Sequence, residues 1–185
     1  MAEFSPPRKT HRLPDGTRRP FAGHLRYIPA NETKLPLYFL LGLLNSRLLD
    51  WYFRLGSTNS KLNEYQVNNL PCPLFAPDSV VTNKGIQREV IAALRAGKTA
   101  DALKVLRRLL DTPPFSLAVR EAIIEAVKQI IAIEEKRGPM ARRDRSALDP
   151  SAQQYQDFID HLMYGMAGLS DEEIRDLEAS YARML

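Results

Sequence analysis

Leu35-Pro-Leu-Tyr-Phe-Leu-Leu-Gly-Leu-Leu-Asn-Ser-Arg-Leu-Leu-Asp-Trp-Tyr-Phe-Arg54 is the stretch that decides the fold. Leu37, Leu40, Leu41, Leu44, Leu48, Trp51, Tyr52 and Leu55 recur at three- and four-residue spacing, the period of a helix with a broad apolar face. Pro36 suits the first turn, where its missing N–H costs nothing, and Asn31 or Thr33 can cap it. The helix is expected to run to about Arg54 and to end at Gly56. A helix this apolar needs other elements to cover it.

Beyond Gly56 come Ser57-Thr58-Asn59-Ser60-Lys61, five hydrogen-bonding side chains with no apolar anchor among them. Asn63-Glu64-Tyr65-Gln66 has the form of a capping box opening a one- or two-turn helix to Leu70. Pro71 and Pro73 then force an extended run through Cys72. A turn-rich linker over residues 76–85 leads to a wholly helical pattern over 86–185. Ile86, Val90, Ile91 and Leu94 mark one helix closed at Gly97. Thr99 is expected to cap a second, carrying Leu103, Leu106, Leu109 and Leu110. Ser116 caps the longest, with Val119, Ile123, Ile124, Val127, Ile130 and Ile131 as its stripe. A fourth spans 151–166 on Tyr155, Phe158, Ile159, Leu162 and Met163. The capping box Ser170-Asp-Glu-Glu173 starts the last, with Ile174, Leu177 and Tyr181 inward.

Upstream of Leu35 the character changes. Residues 1–20 carry four prolines and no periodicity, and read as a flexible basic segment. Phe21 to Ile28 alternates like one half-buried strand. The fold class expected is therefore mainly α with a small β element at the front, α+β. Residues 1–34 hold seven Lys/Arg against three acids, whereas the chain after residue 75 is balanced at 16 against 17. Positive charge at the front, Arg18 and Arg19 included, suits a partner bearing phosphates.

Composition excludes several classes. One cysteine, Cys72, permits no internal disulfide and no structural zinc site of the usual kind, which fits a reducing cytoplasm. The longest apolar run, Leu35 to Leu44, is half the ~20 residues of a membrane span, and no secretory leader is visible, so no membrane partner is expected. There is no phosphate-binding glycine loop, nucleophile elbow or His-x-x-x-His. Asp78 with Glu134 to Lys136 spells the residue types of a metal-dependent nuclease, but on a loop and a helix end rather than on paired strands. His24 and His161 lack partners at ligand spacing, and Cys72 lacks a neighbouring cation to activate it. The Trp51-Tyr52-Phe53 cluster reads as core before it reads as a base-stacking platform.

Leu43-Leu-Asn-Ser-Arg-Leu-Leu-Asp-Trp-Tyr-Phe-Arg54, Gly56-Ser-Thr-Asn-Ser60 and Tyr65-Gln-Val-Asn-Asn-Leu-Pro-Cys-Pro73 together resemble a known family. They are similar to the target-recognition domain, the TaqI-like C-terminal specificity domain, of adenine-specific DNA methyltransferases in type IIG restriction-modification systems. Asp157 to Tyr164 with Gly168 to Glu173 resembles the tail of the same proteins over a shorter span. The resemblance implies a partial recognition domain, residues 21–75, followed by a helical tail, with double-stranded DNA as partner. It implies a DNA-facing loop of Ser57, Thr58, Asn59, Ser60, Lys61 and Asn63 held by the Leu35 to Arg54 scaffold, while the basic front separately makes Arg18 and Arg19 expected DNA contacts. The family's catalytic half flips an adenine and methylates it with S-adenosylmethionine. This chain has neither the Asn-Pro-Pro-aromatic motif nor a cofactor loop. No cofactor is therefore expected here, and catalysis is expected from a methyltransferase domain or subunit outside this chain. The alternative is a helical protein-interaction module with no nucleic-acid role.

Overall fold

Ser116 begins the element around which the others pack. Its backbone is extended and its hydroxyl accepts the Ala118 N–H at 3.3 Å, satisfying one amide that the helix behind it would leave orphaned. That helix, α5 (Leu117–Lys136), buries Val119, Ala122, Ile123, Ala126 and Val127. The structure is a computed structural model and describes residues 35–56, 71–76, 83–111, 113–137 and 148–184. Among them are six further α-helices: α1 (Leu37–Leu44), α2 (Arg47–Gly56), α3 (Lys84–Arg95), α4 (Thr99–Leu106), α6 (Pro150–Met166) and α7 (Asp171–Met184). A single 3-10 turn, Arg107–Leu109, continues α4. The protein is mainly helical, as its periodicity indicates. The strand expected over 21–28 lies outside the described residues.

α5 packs against α1, α3 and α6, and one core runs from Phe39 and Leu43 through Val90, Leu94 and Ile123 to Ile159 and Leu162. Helices before residue 57 and after residue 83 thus share one interior, and α3 begins at Lys84, inside the stretch expected as a linker. The approach of α1 to α5 depends on Gly42, where an added Cβ would stand 2.8 Å from Ile123 Cγ2 and 3.0 Å from Val127 Cγ2. Beside it Phe39, fully buried, meets the edge of Phe75 at 5.2 Å, and Phe75 meets Phe115 at 6.2 Å. An isolated parallel bridge, Phe115 N–H to the Leu74 carbonyl and Ala76 N–H to the Phe115 carbonyl, holds the extended segment behind Pro73 against the start of α5.

Helix ends follow local chemistry where the sequence is explicit. Gly97 takes φ +75, and the amides of Gly97 and Lys98 return to the Leu94 and Ala93 carbonyls in a Schellman closure of α3. The Ser170 and Glu173 side chains cap each other's backbone N–H groups at 2.8 and 3.3 Å, the reciprocal box expected for α7. Thr99 departs from expectation. Lys98 occupies the cap position of α4 without a side-chain hydrogen bond, because the tight Schellman turn leaves Thr99 already inside the helix.

The larger departure lies in the opening stretch. The single helix expected from Leu35 to Arg54 is broken at Asn45 and Ser46. Asn45 Nδ2 donates to the Leu41 carbonyl and the Ser46 hydroxyl to the Leu43 carbonyl, both at 2.7 Å; the Leu43 carbonyl is the acceptor the Arg47 N–H would use in a continuing helix. The Ser46 hydroxyl then accepts the Leu49 N–H at 3.4 Å as α2 begins.

Candidate functional site

Arg47, the first residue of α2, meets three acidic side chains from two other helices. Its backbone N–H donates to Asp160 Oδ1 of α6 at 2.8 Å, so a carboxylate 113 residues away caps this helix. The guanidinium spreads over three acids. It donates to Asp157 Oδ1 at 2.8 Å and to Glu178 Oε1 of α7 at 3.1 Å, and its Nε lies 3.5 Å from Asp160 Oδ2. The Tyr164 hydroxyl donates to the same Glu178 oxygen at 2.7 Å, and Gln156 bridges the Asn45 carbonyl to Asp160.

Asp160 is completely buried, and its Oδ2 accepts no hydrogen bond among the described residues. Burial raises its pKa to about 6, against the opposing pull of the Arg47 N–H and guanidinium. For Arg47 burial works toward deprotonation, but Asp160, Glu178 and Asp157 together hold it firmly charged. Burial and the bond to Glu178 push the Tyr164 hydroxyl well above the ordinary phenol range. One cation thus serves three carboxylates, of which one has no exit to water.

The rest of α2 is tied to α7. Asp50 accepts the Tyr181 hydroxyl at 2.9 Å and Arg54 Nε at 3.0 Å, and the Trp51 indole donates to Ser180 Oγ at 3.2 Å. Trp51 is therefore an anchor, while Tyr52 stays exposed. These bonds hold α2 in place rather than present a nucleophile or base to a substrate. The open cleft lined by Thr99, Leu103, Asp157, Phe158 and His161 encloses about 220 Å³, less than the ~300 Å³ at which ligand pockets begin. His161 lies at its rim, exposed, its Nδ1 2.7 Å from the Asp157 carbonyl of its own helix.

Arg18, Arg19, Ser57, Thr58, Asn59, Ser60, Lys61 and Asn63 lie outside the described residues, as do His24 and Asp78. Ser57 follows Gly56, the last residue of α2, in the sequence. Cys72 is exposed and partial desolvation pushes its thiol up, which matches an inert group. Glu134 accepts the Asp149 N–H at 2.8 Å and pairs with Arg137 at 3.0 Å, fastening the start of α6 to the end of α5. Those bonds give it a structural duty, and no group of three or more potential metal ligands occurs among the described residues.

The sequence reading missed two features. The first is the role of Asp157, Asp160 and Glu178. Their signal was available, since α6 carries two aspartates and no Lys or Arg at all to pair with them. The second is that the balanced helical half is not balanced in space. Residues 83–111, covering α3 and α4, hold seven Lys/Arg against three acids, whereas residues 148–184, covering α6 and α7, hold two arginines against eight acids. No match to the chain was found among protein-family models, curated proteins or solved structures.

Proposed function

We propose that this chain is a DNA sequence-recognition segment of an adenine-specific methyltransferase or type IIG restriction-modification protein. It acts in the cytoplasm and positions duplex DNA for a catalytic domain or subunit that supplies S-adenosylmethionine chemistry. The observation that carries the reading is the anchoring of α2. Arg47 and Asp160 fix its start, Asp50 and Trp51 fix it to α7, and Ser57 follows its last residue in the sequence. Recognition loops gain precision from such a rigid support, because the ordering cost is met before the ligand arrives. In this reading Ser57, Thr58, Asn59, Ser60, Lys61 and Asn63 meet base edges and phosphates, an amide being able to pair with adenine through two bonds. Arg18 and Arg19 meet the backbone alone.

The test is duplex binding by the full chain, alone and with the catalytic partner, across a salt series. Lys61→Ala and the pair Arg18→Ala/Arg19→Ala are expected to flatten the slope of log affinity against log salt by about 0.9 for each phosphate no longer neutralised. Asn59→Ala is expected to relax sequence preference at unchanged slope. Absence of duplex binding at low salt even with the catalytic partner supplied overturns the proposal.

One observation favours the alternative. α1 is apolar on every side, and Leu37, Tyr38, Leu41 and Leu44 are each more than 40% exposed, a face of the kind that pairs with a second copy of the chain. Concentration-dependent association in sedimentation, abolished by Leu41→Gln with Leu44→Gln while duplex binding is absent, selects the interaction module instead.

A further inference from the structure

We propose that the exposed face of α4 and its 3-10 extension, formed by Lys104, Arg107 and Arg108, is a sequence-independent docking surface for the phosphate backbone of nucleic acid. It is distinct from the loop after α2, and it rests on the reading above only in naming duplex DNA as the polyanion.

The face follows from helical geometry. Ala102 and Leu106 are fully buried, which turns Lys104, Arg107 and Arg108 outward together at spacings of three and four residues. All three are exposed, and none has an ion pair among the described residues. Five other described arginines do carry ion pairs: Arg47 with three acids, Arg54 with Asp50, Arg95 with Glu125, Arg120 with Glu121 and Arg137 with Glu134. On α3, Lys84 and Arg88 are also exposed and also without an ion pair among the described residues, one turn apart. Two exposed acids flank this face, Asp101 one turn before Lys104 and Asp111 just beyond the 3-10 turn.

Three exposed cations within about one helical turn, with no ion pair among the described residues, form a local positive field. The chemistry of the face selects its partner. Its described members are Ala100, Asp101, Lys104, Arg107 and Arg108, with no aromatic or large aliphatic side chain to seat in a protein pocket. Protein interfaces place apolar and aromatic anchors at their centre and are depleted in lysine there. A phosphate backbone needs no such anchor. It takes point charges and planar arginine forks, and binding is driven by release of its counterions. Polarity of the whole helical region adds direction, because the eight acids on 148–184 repel the same polyanion and leave α3 and α4 as the approach side.

The experiment uses the full chain and a fluorescent mixed-sequence duplex of about 24 base pairs, titrated from about 50 to 200 mM NaCl, the range over which phosphate binding responds most visibly to salt. Arg107→Gln/Arg108→Gln is compared with Arg175→Gln/Arg183→Gln, two exposed arginines of α7, so that both variants lose the same net charge. The α4 pair is expected to flatten the salt slope by about 1.8, at about 0.9 per phosphate, with the α7 pair changing it by less than about 0.3. Equal effects of the two pairs, or none from either, overturn the proposal, as does a chain that leaves the duplex free and binds poly-L-glutamate through the α4 pair. Lys61→Ala and Asn59→Ala in the same titration separate the two readings. Weakening by the loop variants alone leaves recognition standing and removes the α4 surface. Weakening by the α4 pair alone, with no sequence preference, leaves the surface and removes the recognition loop.

Discussion

Arg47 and Arg107 are the same residue in the same protein, yet they sit in opposite circumstances. Arg47 meets three carboxylates at the junction of α2, α6 and α7, one of them buried and with an oxygen that accepts no hydrogen bond among the described residues. Arg107 lies on an exposed face beside Lys104 and Arg108 with no ion pair among the described residues. The contrast teaches where charge is structural and where it is left for something else. A buried carboxylate makes its cation indispensable, whereas a solvated cation can be removed without the fold noticing.

Removing Arg47 tests the structural side and carries the largest expected effect. Arg47→Ala strands the Asp160 carboxylate inside the core and takes the counter-charge from Glu178 and Asp157, at a cost of about 3–5 kcal/mol. Reversible thermal or urea unfolding of the full chain measures it. The cause is checked by adding Asp160→Asn, which is expected to recover most of the loss because no buried charge then remains. Equal destabilisation of the single and double variants would assign the loss to packing of the arginine stem instead.

Gly42→Ala comes next. The alanine methyl would collide with Ile123 and Val127 where α1 crosses α5, so the better helix propensity is outweighed and a net loss of about 1–2 kcal/mol is expected in the same unfolding measurement. A gain in stability would mean that α1 can move off α5 freely, which would weaken the idea of a rigid support beneath the loop.

How much of this was legible depended on the range of the interaction. Ser116, Gly97 and the Ser170 to Glu173 box set helix ends through bonds to amides and carbonyls within a few residues, and their signals lie in the local sequence. Core positions Val119, Ile123, Phe158 and Leu162 follow from the 3.6-residue helical period for the same reason. The break at Asn45 and Ser46 did not show, since the leucine period runs on across it in the sequence. What makes the break tenable is Asp160 capping Arg47, a partner 113 residues away that no window can contain. Charge segregation was hidden for a similar reason, because a sum over residues 76–185 averages a basic helix pair with an acidic one. The candidate loop, Ser57 to Lys61 with Asn63, rests on resemblance and polar composition alone and lies outside the described residues. Neither one fixes how its side chains are arranged.

Asp160→Asn by itself sharpens the junction further through pH. The folded-state pKa of about 6 is above the ordinary 3.8, so the folded protein holds this proton more tightly than the unfolded chain does. The resulting contribution to stability is complete below about pH 4 and is lost as pH rises through about 6. Ionised Asp160 is thus a burden near neutrality, partly offset by Arg47. The asparagine oxygen can still accept the Arg47 N–H, and a gain of about 1 kcal/mol is expected at pH 7. The more telling readout is the slope: the fall in stability between about pH 4 and 6 should shrink in the variant, whatever the sign at neutrality. An unchanged slope would mean that another carboxylate of the junction, Asp157 or Glu178, carries the titration.

The smallest expected effect belongs to the other side of the comparison. Lys104→Gln, Arg107→Gln and Arg108→Gln should each shift unfolding by no more than about 0.5 kcal/mol, because these side chains bury little and pair with no acid among the described residues. Their place at the C-terminal end of α4 suits the helix dipole, so the small shift should be toward lower stability and should fade in high salt. A loss above about 1 kcal/mol from any of them would show that the face holds the fold together, and the division between structural and available cations would fail. A null result on stability combined with a flattened salt slope in duplex binding separates the two duties cleanly. Stability and affinity would then be carried by different arginines, with Arg47 fixing the support and Arg107 and Arg108 left free to meet phosphate.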